Sequence, residues 1–337
     1  MVLYVLIAFC SLVIFGGETL LFPHPVHASC GSANCFLVTG TQEGTFQPGQ
    51  VVVDLSYRYI PQDLKLDGSS STDTVLAPGI DFDTGEIEED HHRELRTINR
   101  LTQVDINYGL TSKVSLALAV PVSNQRFHEH YHRDTSITPA EEEFSNSDGT
   151  SGFGDMVLTA KRAMVFTPRH LLVGGLGVKF PTGRYKLRDS DGAIGESTLM
   201  PGTGSYDGLL SLYYAYQWRP HKLDTFVSGF YRLNTENPLN YKIGNATLLN
   251  AGVNYIPAET VTLTGQVNAR FSDRDEFHGE TVPSTGGTFI YLTPGVRVQA
   301  FSSTAFYAHL QLPVYQEVNE ANLAPRYGLL LGVSYAF

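Results

Sequence analysis

The chain has 337 residues with 18 Tyr, 19 Phe and 32 Gly, only 4 Met and 17% charged side chains, a balance that favours strands and turns over a soluble helical domain. A formal net charge of −11, with no concentrated Lys/Arg surface, excludes nucleic acid as a partner, because phosphate binding needs clustered basic groups. The length suits one large barrel as well as two ordinary domains.

In chain order, residues 2–15 form an apolar run of secretory length, and Val26-His27-Ala28 ends in a small residue suited to signal-peptidase cleavage. Residues 1–28 are therefore expected to be a removable signal peptide, although the first basic residue is Arg58 and the usual basic start is missing. A retained N-terminal anchor is the alternative; lipidation at Cys30 is disfavoured because His27 stands where a leucine belongs. Cleavage removes Cys10 and leaves Cys30 and Cys35, a pair that an oxidising compartment would close into a local disulfide; a zinc site would need further ligands nearby. Residues 29–49 read as a periplasmic segment or partial plug, and 50–337 as one barrel domain.

Beyond the signal no apolar stretch approaches the ~18 residues of a membrane-spanning helix. Period-2 alternation recurs instead. Val51, Val53, Leu55, Tyr57 and Tyr59 alternate with Asp54, Ser56 and Arg58, and Val104, Ile106, Tyr108 and Leu110 with Gln103, Asp105 and Asn107. Similar segments follow at 114–122, 153–166, 172–180, 210–218, 225–233, 247–255, 261–271, 290–300 and 304–314. In the last, 326–337, residues Leu329, Leu331, Val333, Tyr335 and Phe337 share a face opposite Gly328, Gly332, Ser334 and Ala336, with Leu330 the exception. Twelve strands result, joined alternately by short turns (109–113, 167–169, 219–222, 257–260, 301–303) and long polar loops (61–95, 123–151, 182–203, 234–242, 272–286, 317–324). An even strand number with alternating connections predicts a transmembrane antiparallel up-and-down β-barrel, all-β, with both termini periplasmic and long extracellular loops.

Three elements carry a family resemblance: Ser151-Gly152-Phe153-Gly154-Asp155-Met156, then 175–183 ending in Phe180-Pro181-Thr182-Gly183, then Gly202-Thr203-Gly204-Ser205-Tyr206-Asp207. They resemble the outer-membrane transporter-like family named for the meta-cleavage pathway of phenol degradation. The resemblance implies a porin-like barrel in the outer membrane of a Gram-negative bacterium that admits small, hydrophobic or aromatic compounds. Tyr335 and Phe337 resemble the C-terminal signal read by the barrel-assembly machinery, which with outer-membrane lipid and lipopolysaccharide completes the expected partners.

The inward candidates of such a barrel are Asp54, Arg58, Arg100, Asp105, Asp155, Lys161, Lys179, Arg232, Arg270 and Arg297, with Asn254, Gln266, Asn268 and Gln311. These charges either set a constriction field or pair across the lumen as structural ion pairs. His128, His130 and His132 stand two residues apart, hence on one face if the strand extends outward, and His91 and His92 lie in the preceding long loop. They offer ligands for zinc, copper or nickel, or they are incidental residues of a polar loop. The acidic runs 86–90 and 141–143 read as solvated loop faces. His170, His221 and His309 have no nucleophile motif beside them, so no enzyme and no cofactor is expected. A channel for small solutes and a non-conducting barrel with metal-binding, adhesive or scaffold loops are the two functional readings.

Overall fold

The structure, a computed structural model, describes residues 46–134, 137, 139–188 and 192–337; the signal peptide and the Cys30/Cys35 pair lie outside them. Twelve long strands form the wall: β1 (Val51–Asp67), β2 (Glu86–Gly109), β3 (Val114–Asp134), β4 (Met156–Phe166), β5 (His170–Phe180), β6 (Asp207–Arg219), β7 (Leu223–Leu233), β8 (Ala246–Ala258), β9 (Val261–Ser272), β10 (Gly287–Phe301), β11 (Thr304–Val318) and β12 (Gly328–Ala336). Each pairs antiparallel with its neighbours, and β1 closes the ring on β12 with Val52 opposite Ala336 and Tyr59 opposite Leu329. Closure removes every long edge, which hydrocarbon could not satisfy.

Alternation explains the wall. Leu55, Tyr57, Ile106, Tyr108, Leu331 and Tyr335 are exposed on the outer face, while Asp54, Ser56, Arg58, Asp105, Asn107 and Ser334 between them are buried inside. A surface this apolar is stable only against lipid, and a ring of Tyr, Trp and Phe at its margin is the usual form. Leu330, the odd apolar residue of the inner face, packs on Tyr307. Among the described residues no helix is long and apolar enough to cross a membrane.

The strands differ from the pattern's bounds most at the long-loop end. β1, β2 and β3 run for 17, 24 and 21 residues, well past the ~9–11 that span a bilayer. Segments 61–95 and 123–151, read from polarity as loops, are therefore largely hairpin extensions rising above the apolar belt; polarity there marks water, not the end of pairing. Two bulges re-aim these extensions. Val122 is the extra residue of β3 between the Thr102–Ser123 and Gln103–Pro121 pairs, and Leu95 is the extra residue of β2 between the Glu94–His130 and Arg96–Glu129 pairs. Each bulge exchanges the odd and even faces. On β2, inward residues are Thr97, Asn99, Gln103, Asp105 and Asn107 below Leu95, and His92 and Glu94 above it.

That parity corrects one expected position: Arg100 points outward and is exposed, reaching Gln125 Oε1 at 3.4 Å on the outer surface. The alternation gives Arg100 the parity of Val104 and Ile106, opposite to Asp105. Strand bounds also shift slightly, for Phe153–Asp155 precedes β4 as a bend in which the Gly154 N–H donates to the Pro121 carbonyl at 2.9 Å.

Both ends of the barrel are occupied. At the short-turn end Phe46 is buried, its N–H donating to the inward Ser115 Oγ at 2.9 Å, so the last residues of the N-terminal segment enter that mouth. At the long-loop end Phe82, between β1 and β2, lies 6.3 Å from the Tyr241 ring and 5.4 Å from the Phe277 ring. Tyr241 belongs to the β7–β8 connection, half-way round a twelve-strand ring from β1, so this contact spans the mouth. Ile80, Ile87, Ile243 and Val282 complete the apolar cap.

Candidate functional site: the lumen and its inward loop

The segment between β5 and β6, described at 181–188 and 192–206, brings its later residues into the barrel instead of outward as its polarity suggested. Its short 3-10 turn, Ser197–Leu199, lines an internal cavity of about 220 Å³ together with Thr97 and His128 of one wall and Arg270 and Tyr291 of another. Leu199 and Met200 are buried there.

A three-residue ion cluster holds the loop's base. Lys179 Nζ lies 3.1 Å from Asp155 Oδ2 and 2.5 Å from Asp207 Oδ2, and all three side chains are almost wholly buried. Asp155 also accepts the Gly183 N–H at 2.9 Å and the Thr203 N–H and Oγ1 at 2.8 and 2.9 Å. Asp207 accepts Ser205 Oγ at 2.9 Å and the Thr235 N–H at 3.0 Å. Gly183 and Gly202 press together so closely that a Cβ on Gly202 would sit 2.6 Å from Asp155 Oδ1 and from the Gly183 carbonyl carbon. The Gly-Asp, Pro-Thr-Gly and Gly-Thr-Gly-Ser-Tyr-Asp elements of the sequence thus meet in one place, as a latch.

The inward carboxylates of the lower wall are hydrogen-bonded by neutral side chains. Near the short-turn end Asp54 and Asp105 stand directly opposite on β1 and β2. Tyr307 Oη donates to Asp54 at 2.6 Å, Gln103 Nε2 donates to both oxygens of Asp105 at 2.9 Å, and Arg58, Lys161 and Arg297 supply positive charge around them. Arg232 is half-buried on the inner face, and Arg270 lines the cavity. Asn268 bonds Asn250 and Thr293 within the wall, Asn254 bonds Asp224, and Gln266 and Gln311 are buried.

The long-loop half of the cavity is more acidic. Asp275 accepts the Tyr241 hydroxyl at 2.6 Å and the Gly244 N–H at 2.8 Å, and burial still raises its carboxyl above the ordinary range. Burial likewise pushes the Tyr241 hydroxyl well up, keeping it a donor.

Above the latch, on the extensions of β2 and β3, the five histidines singled out by spacing come together. The Val122 bulge turns His128 and His130 inward, where both are buried. His130 Nδ1 lies 2.5 Å from His128 Nε2, and its Nε2 lies 3.1 Å from His132 Nε2. His92 stacks on His130 with ring centroids 4.4 Å apart, and His91 Nδ1 lies 3.0 Å from His92 Nε2. Three carboxylates complete the group and were not foreseen from spacing: Asp148, Glu94 and Glu196, the last reaching His92 Nδ1 at 2.8 Å from the inward loop. Glu94 shares its face with His92, a signal present in the sequence; Asp148 and Glu196 come from irregular segments with no periodicity to read. His309 sits buried near Arg297, and His170 lies on the outer surface against the Tyr214 hydroxyl at 2.8 Å.

A family model described as "Putative MetA-pathway of phenol degradation" matches residues 97–329. Among curated proteins none matches the chain in sequence. Among solved structures, an outer membrane channel from Pseudomonas putida F1 is similar at 13% identity and a TM-score of 0.57, covering 89% of this chain and 100% of that one. The NanC porin (10% identity, TM-score 0.44, 85% and 98% covered) and the P. putida toluene transporter TodX (10%, 0.42, 86% and 89%) are more distant. The first of these shares the fold of a closed twelve-strand barrel.

Proposed function

The chain belongs to the MetA-pathway phenol-degradation family, and from that premise we propose that it is an outer-membrane channel passing small, partly apolar solutes by facilitated diffusion. The observation that carries this reading is the lining of the cavity, where Ile80, Leu199 and Phe289 face Asn99, Arg270 and Asp275. Its roughly 220 Å³ compares with the ~150 Å³ that accepts a benzene ring in a protein interior. Apolar walls with a few polar groups select a compact solute with one polar edge, such as a neutral monoaromatic. In this reading the signal peptide is removed, the short turns and both termini face the periplasm, and the long loops face outward among lipopolysaccharide. Single-channel recording of the detergent-folded protein in a planar bilayer tests it, paired with uptake of a labelled neutral monoaromatic into proteoliposomes. Small discrete steps or saturable uptake support the channel.

The apolar cap of Phe82, Tyr241 and Phe277 and the filled opposite mouth favour a second reading, a non-conducting barrel whose metal-binding, adhesive or scaffold loops do the work. Folded protein with neither conductance nor uptake would establish that reading over the first.

A further inference from the structure

We propose that the histidines of the β2–β3 extension form a binding site for one divalent first-row transition-metal ion of the zinc type, with His130 Nε2, His132 Nε2 and Asp148 Oδ2 as its ligands. The three atoms are mutually 3.1, 3.2 and 3.2 Å apart. Ligands bonded to zinc at ~2.0–2.1 Å in a tetrahedron stand roughly 3.3 Å from one another, so this near-equilateral triangle matches one tetrahedral face and leaves the fourth position open. Hydrogen bonds align atoms in pairs; three ligand-type atoms equidistant around one point describe a coordination shell. Imidazole with carboxylate is the donor set that zinc, nickel and copper take and that magnesium and calcium do not.

The surroundings support the ligands as a metal site requires. His130 Nδ1 meets His128 Nε2, and His128 Nδ1 meets Thr97 Oγ1 at 2.9 Å, a chain that fixes the ring orientation behind the ligating nitrogen. Ser145 Oγ bonds the same Asp148 oxygen and holds that carboxylate in place. A second observation points the same way. His92 Nδ1 and Glu196 Oε1 are buried and 2.8 Å apart, yet they are not aligned as a hydrogen bond and have no other partner among the described residues. Ligand atoms of His92, Glu94, His130 and Glu196 all lie within 4.8 Å of one another, so a second group of ligand atoms adjoins the first shell. An ion here would tie the β3 extension to the segment that carries Asp148.

The test uses the full chain, detergent-folded and stripped with EDTA, titrated with ZnCl2 in competition with a chromophoric chelator. Wild type is expected to take up one Zn2+ saturably at micromolar concentration or below. The double variant His130→Ala/His132→Ala should lose roughly 100-fold or more in affinity, and Asp148→Asn, nearly isosteric and not expected to disturb folding, about 10-fold or more. Co2+ in place of zinc should give the intense visible bands of a tetrahedral site in wild type and lose them in Asp148→Asn. Folding of each variant is established by heat-dependent gel mobility. Absence of saturable Zn2+ uptake by folded wild type, or uptake unchanged in folded Asp148→Asn and the double variant, would overturn the proposal.

Discussion

Two clusters grip the inward loop, one at its base and one at its tip, and they are built on opposite principles. At the base, Lys179 sits between Asp155 and Asp207, and the carboxylates also accept backbone and hydroxyl donors. At the tip, Glu196 meets His92 without an aligned hydrogen bond, beside imidazoles whose nitrogens face one another. A base of opposite charges closes on itself and needs nothing further. The tip instead gathers imidazoles and carboxylates within 4.8 Å of one another, the donor set of the proposed ion. The contrast separates a structural cluster from a receptive one more firmly than charge alone.

Breaking the base should cost most. Lys179→Met leaves two carboxylates buried without their cation, and removing one partner of such a group costs about 3–5 kcal/mol. The expected result is a lower urea midpoint, read from the single Trp, Trp218, which lies exposed on the outer face, together with a larger or noisier conductance as the loop leaves the lumen. An unchanged midpoint would mean that the trio is ionised and hydrated, hence not a latch. Gly202→Ala is the next step down. Its Cβ meets Asp155 and the Gly183 backbone at 2.6 Å, and overpacking of this kind costs about 1–3 kcal/mol. Thr203→Val, which removes one donor to Asp155 without adding bulk, should fall below it at about 1 kcal/mol.

At the tip, Glu196→Gln should leave the urea midpoint within about 0.5 kcal/mol while changing the conductance trace, because the loop's base still holds. A loss as large as that of Lys179→Met would erase the distinction between the two clusters.

How much of this was open to reading varies with the physics of each element. Alternation named twelve strands because a lipid-facing wall imposes period 2 on every one of them, and Leu55, Tyr57 and Ile106 obey it. The latch was present as three short motifs, since glycines at a close approach and an acid beside them must be retained in place. The bulges at Leu95 and Val122 were not legible, because one extra residue changes parity without changing composition. Arg100 was misplaced for a related reason: charge alone was taken to mean lumen, whereas above the apolar belt both faces of a strand meet water or polar partners. Loop 181–206 carries no periodicity, so neither its inward course nor the arrival of Glu196 at His92 had any sequence signature.

The exposed pair Arg274–Glu320 offers the finest gauge of what burial adds to the latch. Arg274 bonds Glu320 from the loop between β9 and β10, and Glu320 also accepts the Ser284 N–H at 2.9 Å, which together hold its carboxyl below the ordinary value. A carboxyl with a depressed folded-state pKa contributes stability that is present above the unfolded value of about 4.3 and disappears as pH falls through the folded one. Both partners are substantially open to water, so the contribution is screened and well under about 1 kcal/mol. Hydrogen exchange of the Ser284 amide should accordingly be slow at neutral pH, quicken relative to its intrinsic rate as pH drops below about 4, and quicken in ~1 M salt at neutral pH. The buried trio, shielded from counterions, should leave the Gly183 amide indifferent to the same salt. Equal salt sensitivity of the two amides would place the latch in contact with solvent and return it to the class of ordinary surface pairs.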